Sequence, residues 1–270
     1  MSGPIVAIGG AEFQMRPDNE ALHDYIVSLV PKPKPRICLM PTASGDPQDQ
    51  ISAFHGAMER RGCLPSSISL FRLGEGPIDF AEHLLAQDAI YVTGGSMVNL
   101  MALWREHGID EIMREAHERG ILLCGYSAGS MCWFEAGVSR GGGAPAAALG
   151  IGLLEGSHCV HYSQDPARRD AYRTLIGAGR IPAGLALDDY AAALIRDGEL
   201  VEAVRANETA SAFRVERSPD GDGVVEAPLP ARLLPASSAG PEPGLAEMRE
   251  LRRMQSERPS GPGRLGRRSR

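Results

Sequence analysis

"GILLCGYSAGSMCWF", Gly120 to Phe134, places one serine between two glycines directly after an apolar run. The run reads as a strand buried on both faces, and the residues after the serine read as an apolar helix. Between them, Gly-Tyr-Ser-Ala-Gly is either a plain tight turn or a nucleophile raised for attack. A serine hydroxyl attacks only when a base takes its proton and a donor stabilises the oxyanion that forms. A Gly-x-Ser-x-Gly turn between strand and helix serves both needs. Gly125 and Gly129 remove Cβ atoms that would clash in a sharp turn, and the Ala128 N–H opens the helix where negative charge is favoured. The five-residue pattern is common, so the context decides, and a buried strand before with an apolar helix after is the required context. Ser127 is the candidate nucleophile.

The same rhythm extends outward. "PIVAIGG" (4–10), "RICLMPTA" (36–43), "SSISLFRL" (66–73) and "AIYVTGG" (89–95) also read as strands buried on both faces. Between them lie helix candidates: "PDNEALHDYIVSLV" (17–30), "DPQDQISAFHGAMERRG" (46–62), "GPIDFAEHLLAQ" (76–87) and "SMVNLMALWREHG" (96–108). Such alternation predicts an α/β fold, a mostly parallel sheet flanked by helices on both faces. After about residue 180 the rhythm changes. "AAALIRDGELVEAVRA" (191–206) is two runs joined by Asp197-Gly198, a strong hairpin signal, and "SAFRVERSPDGDGVVEAP" (211–228) repeats the idea with a looser turn. An antiparallel C-terminal hairpin extension of the sheet is therefore expected. No internal repeat is found. Residues 1–235 read as a single α/β hydrolytic domain. Residues 236–270, rich in Arg, Pro and Gly, read as a disordered tail that buries too little apolar surface to offset ordering entropy.

Composition narrows the function. Of 270 residues, 43% are hydrophobic and 23% charged, an ordinary globular balance, and the net charge of −6 gives no support to nucleic-acid binding. The charge is uneven: the last 35 residues carry eight arginines against four glutamates. The five cysteines form no CxxC pair, which argues against a disulfide framework and a zinc ribbon. The start lacks a basic segment followed by an apolar one, and no apolar run approaches the roughly 18 to 20 residues that span a bilayer. A cytoplasmic protein with no membrane partner is expected.

In a parallel sheet the strand ends share one edge, where ligands bind. Gly94 and Gly95, in "YVTGGSMVNL", can present bare amides there as the second half of an oxyanion hole with Ala128. Gly9 and Gly10, in "AIGGAEF", offer a third edge that shapes the pocket. Of seven histidines, His23, His55, His83, His107 and His117 fall within helix candidates, where solvated or satisfied side chains are the rule. His158 and His161 end an apolar run before a polar loop. Three apart on a strand they face opposite sides, so one reaches the serine, and the spacing does not say which. A carboxylate must orient that imidazole. Asp188 and Asp189 close a short apolar run, while Asp165 and Asp170 are rivals explained by a helix start.

Taken together, "MPTASGD" (40–46), "YVTGGSMVNL" (91–100), "GYSAGSM" (125–131), "GLLEGSHCVHY" (152–162) and "LALDDYAAAL" (185–194) resemble, in order, the peptidase E (aspartyl dipeptidase) family of serine peptidases, which is related to cyanophycinase. The resemblance covers roughly residues 4 to 205. It implies a class I glutamine amidotransferase-like fold and a Ser-His-acid triad in that chain order. It assigns the nucleophile to Ser127, the base to His161, and the acid to Asp189, where the aspartyl dipeptidases carry glutamate, with Asp188 as the fallback. Gly94, Gly95 and Ala128 align with the oxyanion-hole backbone. Tyr126 stands where those dipeptidases have tryptophan, and Ser130-Met131 follows Gly129 in place of Ala-Asn. The implied partner is a small peptide, probed first as dipeptides with N-terminal aspartate. No metal or other cofactor is required, and a homo-oligomer is admitted without being specified. Arg168 and Arg169 are candidates for binding an acidic substrate, although helix surfaces carry arginine routinely.

Rival readings share the architecture or abandon the chemistry. A cyanophycinase-like hydrolase or an amidase would use the same residues. A catalytically silent binding protein need not keep all of Ser127, His161 and Asp189. A metal hydrolase is disfavoured by the opposed faces of His158 and His161 and by the lack of a helical HxxxH. Cys124, Cys132 and Cys159 sit in apolar runs, where thiols are buried and inert.

Overall fold

The apolar runs build the centre of a sheet in the computed structural model, which describes residues 2–10, 17–72, 79–140, 143–221 and 223–237, with backbone alone at 17–19. In chain order the strands are β1 (Ile5–Ile8), β2 (Arg36–Met40), β3 (Leu64–Ser67), β4 (Ala89–Val92), β5 (Leu122–Tyr126), β6 (Phe134–Ser139) and β7 (Ala146–Leu149). They continue as β8 (Leu154–Val160), β9 (Gly184–Leu187), β10 (Ala191–Arg196), β11 (Glu199–Arg205), β12 (Ala212–Arg217), β13 (Val224–Leu229) and β14 (Ala231–Leu233). The helices are α1 (Pro17–Ser28), α2 (Gln48–Glu59), α3 (Phe80–Leu85), α4 (Met97–Glu106), α5 (Ile109–Glu118), α6 (Ala128–Met131) and α7 (Pro166–Gly177). Among the described residues, no helix is long and apolar enough to cross a membrane.

The main sheet runs β14-β11-β10-β1-β5-β4-β2-β3, with β1, β5, β4, β2 and β3 parallel and β10 antiparallel to β1. Its core divides by the period of two that a strand imposes. Ile5, Ala7, Cys38, Met40, Ile90, Val92 and Leu123 face one cluster, which includes Trp104 of α4 and Met113 of α5. Val6, Ile8, Ile37, Leu39, Tyr91 and Cys124 face the other, built with Leu22 of α1 and Phe54 of α2. Burial on both faces is why these strands read as unbroken apolar runs. The Asp197-Gly198 hairpin forms as expected, both residues at positive φ, and joins β10 to β11.

Three expectations need correction. The strand read at 66–73 ends at Ser67: Ile68 N–H makes a last bond to Leu39 O at 3.0 Å, Ile68 and Leu70 are buried in the core, and Leu73 lies outside the described residues. Pro65 is tolerated in β3 because that strand is the sheet's edge. The apolar helix expected after Ser127 is the single turn α6, and the chain then enters β6, since a short apolar run does not distinguish helix from strand. The second hairpin, β12–β13, does not extend the main sheet. It completes a second sheet, β13-β12-β9-β8-β6-β7, that was not anticipated. One face of this sheet shares the main core through Phe134, Leu154 and Leu187, and its other face packs Tyr162 and Val215 against Tyr172 and Ile176 of α7. The tail read at 236–270 lies outside the described residues after Ser237.

Candidate active site

Because β1, β5, β4 and β2 are parallel neighbours, their carboxyl ends meet along one edge. There Ser127 follows β5, between Gly9-Gly10 after β1 and Gly94-Gly95 after β4. From the second sheet, His161 follows β8 and Asp189 follows β9, which are also parallel neighbours.

Ser127 caps α6 with φ 53° and ψ −118°, a conformation that costs a non-glycine residue of order 1–3 kcal/mol. Its N–H donates to Ile8 O at 3.0 Å, holding the turn against β1. A Cβ on Gly125 would overlap the Gly129 carbonyl, and one on Gly129 would overlap the carbonyls of Val92 and Thr93. The elbow is therefore packed backbone to backbone, which only glycine permits.

Ser127 Oγ lies 2.9 Å from His161 Nε2. His161 Nδ1 is hydrogen-bonded to Asp189 Oδ1. An ionised carboxylate only accepts, so Nδ1 carries the hydrogen of the neutral ring and Nε2 is left to accept from the serine. Both the His161 and Asp189 side chains are 30% exposed, open enough to meet a substrate. The Asp189 backbone is held from two sides, by Gln164 and by the bridge to Gly10. Its N–H donates to Gln164 Oε1 at 3.1 Å, it bridges to Gly10, and the next N–H, of Tyr190, donates to Gly10 O at 2.7 Å. A Cβ on Gly10 would overlap the Asp189 carboxylate and come within 2.5 Å of the His161 ring. The imidazole–carboxylate pair thus fills the space where a side chain would stand.

The other candidates go elsewhere. Asp188 is 2% exposed, and its two oxygens accept from Ser163 N–H at 2.8 Å and Ser211 N–H at 3.0 Å. It ties the loop after His161 to β12 and does not meet the imidazole. Asp165 caps α7 and pairs with Arg140, while Asp170 is exposed on the same helix. His158 is fully buried, with Nδ1 donating to Leu185 O at 3.0 Å, Nε2 3.0 Å from Ser130 Oγ, and its ring against Phe134. Burial lowers its pKa from 6.5 to about 4, so it is a neutral strut under the elbow. The remaining five histidines lie on or at the ends of α1 to α5. Arg168 is buried beside Asp165, and Arg169 pairs with Glu226 over the Tyr162 ring, so neither forms an open cationic pocket. All five cysteines are buried, and burial drives the Cys124, Cys132 and Cys159 thiols away from ionisation.

On the other side of Ser127, Gly94 is so close that a built Cβ would stand 3.0 Å from the serine Cβ. Gly95 has φ 141°, outside the range of other residues. The Ala128 N–H lies in the first turn of α6, where no intrahelical acceptor exists. Sequence reading missed Gln164, and it noted Ser130 as a departure from the family without giving it a role. Gln164 carries no local signal, since Asp189 is brought to it by the fold, and Ser130 joins a local bond to Ser127 O at 3.0 Å with a distant one to His158.

Comparison with known proteins bears on descent and fold. The pattern of peptidase family S51 matches residues 5–203. "Uncharacterized peptidase YgaJ" of Bacillus subtilis (strain 168) is 40% identical over 230 residues, 85% of this chain and 98% of that protein. A crystal structure of a peptidase from an acI-B1 Actinobacterium superposes with a TM-score of 0.63 at 18% identity, over 86% of this chain and 95% of that one. A second, described as "a Putative Peptidase E Protein from Listeria monocytogenes EGD-e", gives 0.57 at 18% identity, over 76% and 99%. The structural likenesses carry the fold, an α/β architecture of the kind the sequence implied, and the sequence matches carry the descent: this chain belongs to peptidase family S51.

Proposed function

We propose that this peptidase is of the serine type and hydrolyses short peptides, dipeptides with N-terminal aspartate foremost. The observation that carries the reading is the continuous contact from Ser127 Oγ to His161 Nε2, at 2.9 Å, and from His161 Nδ1 to Asp189. In the proposed mechanism His161 takes the Ser127 proton as Oγ attacks the scissile carbonyl, and Asp189 holds the ring and stabilises its cation. Amides of Gly95 and Ala128, beside Gly94, receive the oxyanion, a single such donor being worth about 3 to 4 kcal/mol in comparable enzymes. His161 then protonates the leaving amine, and water resolves the acyl-enzyme. The aspartyl preference rests on the likeness to aspartyl dipeptidases alone. A cytoplasmic location and independence of any cofactor belong to the same proposal.

The test is hydrolysis of Asp-p-nitroanilide, a panel of other Xaa-p-nitroanilides and Asp-Leu by the wild type and Ser127→Ala. Cleavage confined to aspartyl substrates and lost in the variant is the expected result. Ser127-dependent cleavage of other members keeps the mechanism and discards the narrow specificity, as would release of product from a β-aspartyl-arginine isopeptide. Wild-type activity retained by Ser127→Ala would overturn the serine mechanism.

A further inference from the structure

The motif "MPTASGD" takes no part in the proposed chemistry, yet it lies directly behind the glycines that would receive the oxyanion. The end of β2 and the Pro41–Ser44 turn after it hold the strap Thr93–Ser96 by backbone bonds, Thr93 N to Met40 O at 3.2 Å and Ser96 N to Ala43 O at 2.8 Å. Gly95 presses on this turn so closely that a Cβ there would overlap the Ala43 carbonyl. The turn is itself anchored by Asp46, whose carboxylate accepts from Ser69 Oγ at 2.6 Å and Phe71 N–H at 3.1 Å.

Side chains add a second connection. Gln50, in the first turn of α2, donates from Nε2 to Tyr126 Oη at 2.8 Å, and its Oε1 accepts from Ser44 Oγ at 2.6 Å. Ser44 Oγ lies 3.2 Å from Thr93 Oγ1. Tyr126 is covalently next to Ser127, and its ring lies against Gly94, where a built Cβ would stand 2.6 Å from a ring carbon. One amide side chain therefore touches both halves of the site: the elbow through Tyr126, and the Gly94–Gly95 strap through Ser44 and Thr93. Oxyanion donors act only when held about 2.7–3.1 Å from the forming charge, and displacement of about 1 Å can cost on the order of 10²-fold in rate.

We infer that Gln50 is a positioning residue that sets the distance between the Ser127–Ala128 elbow and the Gly94–Gly95 strap, acting through Tyr126 and Ser44. The inference rests on the serine mechanism proposed above. It gives "MPTASGD" and the tyrosine before the serine one shared role, that of a buttress for the oxyanion-stabilising backbone.

The experiment measures the second-order rate at which an alkyl fluorophosphonate modifies the intact chain, read by mass spectrometry. The reagent forms an Oγ–P bond at serine with loss of fluoride through an oxyanion-bearing transition state, and needs no knowledge of the peptide substrate. Wild type, Ser127→Ala, Gln50→Ala, Tyr126→Phe and the double variant Gln50→Ala/Tyr126→Phe are compared, each with its thermal midpoint. Expected are modification of wild type at Ser127 and a loss of about tenfold in rate for each single variant, with midpoints unchanged. The double variant should be no slower than the slower single one, since both remove the same connection. Kinetics on a cleaved peptide should show the loss in kcat with KM retained. Rates equal to wild type, additive losses, or losses that follow a falling midpoint would overturn the inference and leave Ser127 as nucleophile. A wild type unmodified at Ser127 would overturn the mechanism and the inference with it.

Discussion

At Asp188 and Asp189, two adjacent carboxylates with the same chemistry have separate work. Asp189 accepts from His161 Nδ1, whereas both Asp188 oxygens accept from backbone N–H groups. Asp189→Asn replaces an obligate acceptor by an amide that can donate to Nδ1 and favour the wrong tautomer. It should lower kcat by about 10³–10⁴-fold with little change in thermal midpoint. Asp188→Asn should do the reverse. One amide N–H loses its acceptor, stability falls by about 1–3 kcal/mol in urea titration, and kcat of the folded enzyme stays within about twofold. A large kcat loss in Asp188→Asn would mean that the roles are exchanged. Gly10→Ala belongs with the first variant, because its methyl would displace the imidazole–carboxylate pair, and activity should be lost on the same assay.

At the scale of elements, β8 carries two histidines to different ends. His158 lies inside the strand and is buried, while His161 lies one residue past it at φ 53° and turns toward Ser127. Burial gives His158 a folded pKa of about 4 against 6.5 in the open chain. As pH falls, the unfolded chain therefore binds the proton first. The stability associated with this neutral histidine is complete above pH 6.5 and declines as pH drops from 6.5 towards 4, by at most roughly 3 kcal/mol. His23, lowered to about 3 by burial and by Arg61 and Arg60, acts in the same direction. Urea unfolding at pH 7 and pH 4.5 should show a smaller acid loss in His158→Gln than in wild type, and an equal loss would exclude His158 as a source. The β10–β11 hairpin is a simpler case. Gly198 holds φ 82°, so Gly198→Ala should destabilise by about 1 kcal/mol, with activity unchanged at 25 °C.

For the whole molecule, two sheets share one core, and the site lies where their parallel strands end. No described part of that site comes from beyond residue 190. Truncation after Gly240 removes the arginine-rich tail and should leave kcat/KM and the thermal midpoint of the remaining chain unchanged. A loss of activity would give the tail a role that composition does not suggest.

The elbow, the two-faced strands and the Asp-Gly hairpin were legible in the amino-acid order because their causes are local: glycine where backbones touch, apolar residues on both sides of a strand, a turn needing positive φ. The resemblance extended this to His161 and Asp189. Other features have no local cause. The second sheet pairs β6 with β8 and β9 with β12 across intervening segments, and hydrogen bonds between distant strands leave no period in either one. His158 and His161 have equal chemistry, as do Asp188 and Asp189, until burial and backbone partners are supplied by strands far away in the chain. Residue type and spacing state what a side chain can do, and tertiary packing, by deciding what surrounds it, selects which one does it.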